Sequence, residues 1–344
     1  MKFLRFLLFP FSIAYDIVTS LRNLMFDIGF FKETSFKIPT ITVGNLSVGG
    51  TGKTPQIEYL VRLLKDKHVL SVLSRGYKRS TKDFVLLDAA SSAEEVGDEP
   101  LQYFNKFKNI TVAVDVNRVN GIETLITTKN PEVILLDDAY QHRKVKSSCY
   151  ILLTKYKDLF IDDFLLPTGN LRESSAGAKR ANAIIVTKCP KNLSISDKEN
   201  IQQKLQHFKK PLFFSSISYA EKTKGSNSIL TSNLKDYDVL LITGIANPTP
   251  LLQHLRSLNV RFEHEEYADH HHFSKKEIEQ IEQKFSKMNI KNRILLTTEK
   301  DYTRLYNRLD ELNYLEIETQ FLEDQKEGFD NLITSHIQNF TSKS

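Results

Sequence analysis

The sequence predicts an α/β protein with a mostly parallel sheet, helices on both of its faces and a smaller α/β domain towards the C-terminus. Three observations predict it. Short β-branched and apolar runs alternate with helical patterns, the signature of a parallel sheet with crossover helices. One run, residues 133–136, is apolar at every position, as a strand buried on both faces must be. A glycine-rich segment, residues 47–54, stands directly after a strand signal and directly before a helix signal.

The elements follow in order. Residues 1–31 are rich in Phe, Leu and Ile, yet their longest uncharged run, 6–15, has only ten residues. A membrane-spanning helix needs about 20. Asp16, Arg22 and Asp27 interrupt any longer stretch, and no small-x-small cleavage site follows. After Pro10, Ile13, Ile17, Leu21, Leu24 and Ile28 recur at helical spacing, with Ser12, Asp16, Ser20, Asn23 and Asp27 on the other side. This pattern fits a helix packed on the core, or one lying in a membrane interface. Phe3, Phe6, Phe9 and Phe11 at the tip favour the interface.

Strands are expected at 38–43, 69–73, 109–114, 133–136, 150–153, 183–186 and 213–218, with a helix at 55–64. The texture then becomes polar and Gly/Ser-containing around 209–233, which reads as a linker. A second α/β pattern follows: strands at 239–243 and 294–297, helices at 250–258 and 275–288. The expected organisation is an N-terminal membrane-associated helix (1–31), a nucleotide-binding core (32–218) and a smaller α/β domain (219–344).

Composition sets bounds. The chain has 344 residues, 40% hydrophobic and 26% charged, enough to bury a sizeable core. Net charge is +5, with lysines interspersed rather than massed into a basic arm, so no nucleic-acid partner is expected. Nor does any motif suggest a protein partner. Cys149 and Cys189 lack a C-x-x-C spacing and read as inert thiols in a reducing compartment.

Ser47-Val48-Gly49-Gly50-Thr51-Gly52-Lys53-Thr54 carries the chemistry. Its glycines let successive N–H groups turn inward on phosphate oxygens, and the following helix adds a favourable dipole. Lys53 would reach the β- and γ-phosphates, and Thr54 would ligate Mg²⁺. Ser47 stands where the phosphate-loop pattern has its first glycine. The apolar run 133–136 ends in Asp137-Asp138, where the Mg²⁺-orienting carboxylate of such folds sits. ATP or GTP with Mg²⁺ fits both a kinase and a nucleotide-dependent switch at the membrane. No guanine-reading N-K-x-D is present; Thr187-Lys188-Cys189-Pro190 is a faint echo.

Other polar clusters follow apolar runs, where a parallel sheet presents its ligands. They are Ser74-Arg75-Gly76-Tyr77, Gly97-Asp98-Glu99-Pro100, Asp115 with Arg118, Gln141-His142, the loop 165–173 with Arg172, Asp269 to Phe273, and Thr298-Glu299-Lys300-Asp301. Asp98 and Glu99 also suit plain helix capping. Lys300 with Asp301 also suits a surface pair. Consecutive side chains diverge, so the triple histidine suits one functional His better than a metal site.

Taken together, in order, these motifs resemble the tetraacyldisaccharide 4′-kinase family, which phosphorylates the lipid A precursor. The resemblance runs from the N-terminal helix to about Asp301; the residues after Leu305 resemble nothing assignable. Ser47 is ordinary in that family, whereas Ala139 stands where it usually has Gly. The resemblance implies transfer of the ATP γ-phosphoryl group to the 4′-hydroxyl of a tetraacyldisaccharide 1-phosphate. It implies Asp98 as general base, His270 (or its neighbour His271) paired with it, and Asp137, Asp138 and Thr54 on Mg²⁺. Lys53 and Arg172 would stabilise the transferring group. Arg75, Tyr77, Arg118, Gln141 and His142 would meet the lipid substrate. The family is peripheral on the cytoplasmic leaflet of the bacterial inner membrane, which gives the apolar N-terminus a purpose.

Overall fold

The computed structural model describes residues 5–288, 291–323 and 325–342. Phe3 of the apolar tip lies outside them.

Two sheets organise the chain. Among the described residues, the larger has nine strands in the order β14-β8-β7-β6-β1-β5-β2-β4-β3. In chain order these are β1 (Thr40–Asn45), β2 (Leu70–Ser74), β3 (Val85–Leu86), β4 (Thr111–Val114), β5 (Val133–Asp137), β6 (Cys149–Lys155), β7 (Ala183–Thr187), β8 (Leu212–Tyr219) and β14 (Ile317–Phe321). Only the edge strands β3 and β14 run antiparallel to their neighbours. The smaller sheet has the order β11-β10-β12-β13-β9. Its strands are β9 (Lys224–Gly225), β10 (Asp238–Thr243), β11 (Arg261–Glu266), β12 (Arg293–Thr298) and β13 (Leu312–Leu315).

β1 and β5 are buried at every position and lie side by side, Val43 level with Asp137. The glycine-rich loop and the Asp pair therefore leave the sheet together, at one carboxyl edge. Gly44 makes this possible: a Cβ there would lie 2.6 Å from the Tyr140 Cβ.

The helices are α1 (Phe9–Asp27), α2 (Lys53–Leu64), α3 (Ala93–Val96), α4 (Asp98–Lys106), α5 (Arg118–Lys129), α6 (Ile195–Leu205), α7 (Thr249–Ser257), α8 (Lys275–Ser286), α9 (Glu299–Leu305) and α10 (Gln325–Thr341). None of the described helices is long and apolar enough to cross a membrane. Both cysteines are buried and unpaired.

Two sequence expectations change. The smaller sheet begins inside the polar stretch, at β9, but the chain leaves it at Glu316. β14 pairs with β8, and Phe329, Ile333 and Ile337 of α10 join the core of the larger sheet. The unassignable C-terminal residues thus complete the first body, and residues 219–344 are not one contiguous unit. β11, Arg-Phe-Glu-His-Glu-Glu, had no strand signal; it is a charged, largely solvated edge strand.

The N-terminal helix is packed the opposite way from a core helix. Its polar side docks on the protein: Ser12 Oγ meets the Leu165 carbonyl (3.1 Å) and Thr168 Oγ1 (2.8 Å), Tyr15 Oη donates to the Arg172 carbonyl (2.9 Å), and Asn23 Nδ2 donates to Glu173 (2.9 Å). Its apolar side faces outward. Phe11, Ile17 and Val18 are 65%, 63% and 65% exposed, and Ile13, Leu21, Leu24 and Ile28 are exposed with them.

Candidate active site

The phosphate loop links β1 to α2. Gly49 (φ 98°) and Gly52 (φ 88°) occupy the left-handed region, where a side chain would be strained; Ser47 does not. That is why serine is tolerated at the first position. Ser47 instead bridges Leu171, and the Val48 N–H donates to the Asn170 carbonyl (2.8 Å), so the Arg172 loop is stitched to the phosphate loop. On the other side, Thr187 Oγ1 donates to the Thr51 carbonyl and Lys188 Nζ to the Gly50 carbonyl, both at 2.7 Å. The faint guanine-reading echo is thus a brace on two carbonyls of the phosphate loop.

Lys53 Nζ lies 3.6 Å from Asp138 and 3.5 Å from Asn45 Oδ1. Arg172 forks onto Asp138 at 2.9 and 3.3 Å and donates to the Asn45 carbonyl (3.0 Å). Burial raises the Asp138 pKa, but Lys53 and Arg172 outweigh it and hold the carboxyl below the usual range. Asp137 is different. Burial first, and then Asp138, push it up to about 7. Its Oδ2 meets Ser74 (3.4 Å) and Tyr103 (3.3 Å), while Oδ1 is buried with no hydrogen-bond partner among the described residues. A buried, orphaned carboxylate oxygen beside a second carboxylate fits a divalent cation.

The second cluster joins the two sheets. Asp98 opens α4 but caps nothing; Gly97 is the capping residue, and the Asp98 side chain makes no cap bond. Its Oδ2 is 2.7 Å from His270 Nδ1, and its Oδ1 is 2.5 Å from Arg304 Nε on α9. Burial opposes the charge on Asp98, yet His270 and Arg304 prevail and depress its pKa. Lys300 Nζ lies 3.0 Å from His270 Nε2. An ammonium has only protons to give, so Nε2 accepts and Nδ1 carries the proton donated to Asp98. His271 turns away to Glu277 (3.0 Å), which decides between the two histidines. Asp301 is buried and does not pair with Lys300; it accepts from the Gly244 N–H (2.9 Å) and Thr298 Oγ1 (2.6 Å), fixing the loop that also receives the His270 N–H on the Gly244 carbonyl.

The other candidates gather less uniformly. Arg118 is buried, with NH1 on the carbonyls of Asp115 and Val116, and Nε unpartnered among the described residues. Burial and Arg75 lower it to about 10. Burial and neighbouring cations, Arg118 first, drive His142 down to about 4, so it is neutral at physiological pH. Tyr77 is exposed, its ring 5.3 Å from that of His270. Gln141 spends its amide on the Asn45 carbonyl (2.9 Å) and Glu173 (3.0 Å), a bracing contact, with Oε1 left over. Arg304 was missed in the sequence. The signal for it was helical spacing, which puts it one turn after Lys300 on the same face.

Comparison with known proteins settles the family. The family described as Tetraacyldisaccharide-1-P 4′-kinase matches residues 4–338. The chain belongs to that family. The match runs well past Asp301, through the strand and into the helix that return to the larger sheet. The tetraacyldisaccharide 4′-kinase of Flavobacterium psychrophilum is 52% identical, covering 99% of both chains. That of Bacteroides thetaiotaomicron is 43% identical over 98% of this chain and 94% of its own. The crystal structure of Aquifex aeolicus LpxK in complex with ATP superposes with a TM-score of 0.78 at 30% identity, covering 97% of this chain and 99% of that one. Membership in this kinase family excludes the nucleotide-dependent switch.

Proposed function

We propose that the chain transfers the γ-phosphoryl group of ATP to the 4′-hydroxyl of a tetraacyldisaccharide 1-phosphate at the cytoplasmic face of the inner membrane, where it sits peripherally. Family membership supports the reaction. The observation that carries the residue roles is the pairing of Asp98 with His270, a carboxylate held ionised beside the phosphate loop's sheet by a residue of the loop that follows β11.

Phosphoryl transfer needs alignment and charge compensation more than covalent help. Residues 47–54 cradle the triphosphate, and Lys53 and Arg172 neutralise charge that develops on the transferring group. Asp98 orients the 4′-hydroxyl and takes its proton; His270 keeps Asp98 oriented. Thr54, Asp137 and Asp138 would hold Mg²⁺, which supplies positive charge to the phosphate oxygens. Arg75, Tyr77, Arg118 and His142 suit the sugar and its 1-phosphate, with Gln141 bracing the floor. The kinase core comprises 32–218 with the returning strand and helix, and 219–316 form the smaller domain. The outward apolar side of α1 supports a monotopic position in the leaflet that holds the substrate.

Purified protein with Mg-ATP and the detergent-dispersed disaccharide lipid tests the reading. A 4′-phosphorylated product is expected. Protein that binds ATP but makes no such product refutes it.

A further inference from the structure

A groove of about 650 Å³ runs along one flank of α1, where the outward apolar side meets the body of the protein. Val18, Leu21, Met25 and Phe26 of α1 line it together with Phe31. Its rim carries three cations, Arg22, Lys32 and Lys144. The nearby carboxylates are already taken. Asp27 and Glu33 both pair with Arg143, each at 2.8 Å. Among the described residues, Arg22 donates to the Gln141 carbonyl and lies over the Phe26 ring. Lys32 and Lys144 have no carboxylate within ion-pair distance among the described residues, and both are exposed.

We propose that this groove seats one anionic phospholipid of the bilayer, its acyl chain against Val18, Leu21, Met25 and Phe31 and its phosphate on Arg22, Lys32 and Lys144. The inference rests on the interfacial placement of α1 proposed above. It goes further by naming the lipid class and the seat. Charge complementarity carries it. An uncharged apolar groove would need no uncompensated cations, and a soluble anion would need no apolar wall. At a helix lying in the interface, the groove sits at the depth where headgroup and chain meet.

The test is vesicle flotation of the full chain with phosphatidylcholine alone and with phosphatidylglycerol added. Wild type should prefer the anionic vesicles, and salt should weaken that preference. Lys32→Gln with Lys144→Gln should lower binding to anionic vesicles by about fivefold per lysine and leave binding to phosphatidylcholine unchanged. Met25→Trp, which fills the groove but keeps every charge, should also reduce the preference. If Met25→Trp keeps the full preference, the attraction is diffuse and there is no seat. Equal wild-type binding to both vesicles overturns the seat but leaves the interfacial helix standing. Wild type that binds neither overturns both. If the lysine pair instead raises KM for the detergent-dispersed substrate with vesicle binding unchanged, the groove belongs to the substrate's own chains.

Discussion

His270 Nδ1 lies 2.7 Å from Asp98 Oδ2, although 172 residues separate them in sequence. One residue opens α4, in the body that carries the phosphate loop, and the other lies in the loop between β11 and α8. The contacts of the Asp98 carboxylate are therefore complete only when both bodies are in place. Asp98→Asn removes the proposed proton acceptor without changing shape. It should lower kcat by roughly 10²- to 10⁴-fold. ATP affinity, measured with a fluorescent analogue, should stay within about twofold, because Asp98 touches no residue of the loop. Lost ATP binding would refute its role as base.

His270 and Arg304 both depress the Asp98 pKa. Activity that needs the ionised carboxylate should therefore persist below the ordinary carboxylate range and fail only as pH drops through the depressed value. Removing either partner raises that pKa, so the acid limb of kcat/KM should move to higher pH in His270→Asn and in Arg304→Gln. Arg304→Lys should restore part of the shift. An unmoved limb in all three variants would assign the limb to another group.

The nucleotide half of the site was legible because it is local. The phosphate loop and the Asp pair each lie within one strand–loop unit, and residue type plus spacing is enough to find them. The acceptor half was not. Asp98 read equally well as a helix cap, and the sequence left both His270 and His271 open as its partner, because a contact 172 residues apart has no period. Lys188 resembled a base-reading motif, but the structure uses its ammonium as a brace on Gly50. β14 and α10 carry ordinary amphipathic patterns; what the sequence could not tell was which sheet they would join.

Lys106 joins those distant segments a second time. Its buried ammonium meets Glu58 of α2 at 2.7 Å, Glu299 of α9 at 2.9 Å and Glu316, where the chain crosses between the sheets, at 3.4 Å. Lys106→Met removes the cation that reaches Glu299 and leaves Glu58 and Glu316 with only Arg62 and Lys224, so it should destabilise the fold by up to about 3–5 kcal/mol, read in urea unfolding. Burial and Glu58 raise the Glu299 pKa to about 8. The unfolded chain loses that proton near the ordinary glutamate value, whereas the folded chain keeps it to about 8. Between those values the folded state binds more protons, so stability should fall as pH rises and level off above 8. Glu299→Gln should flatten that slope; an unchanged slope would place the titration elsewhere.

The exposed side of α1 gives the last prediction. Deleting the helix would be ambiguous, because Ser12, Tyr15 and Asn23 hold Thr168, the Arg172 carbonyl and Glu173 beside the phosphate loop. Loss of activity would then follow from lost bracing as readily as from lost membrane contact. Ile17→Glu and Leu24→Glu avoid this, since both side chains point away from the protein. A buried leucine or isoleucine contributes about 1.5–3 kcal/mol, and inserting a carboxylate costs more. Each variant should weaken vesicle binding by at least about tenfold. Turnover of detergent-dispersed substrate and thermal stability should stay near wild type. If either variant instead lowers Tm by several degrees with membrane binding intact, that side of the helix is packed against protein in solution, and the interfacial reading fails.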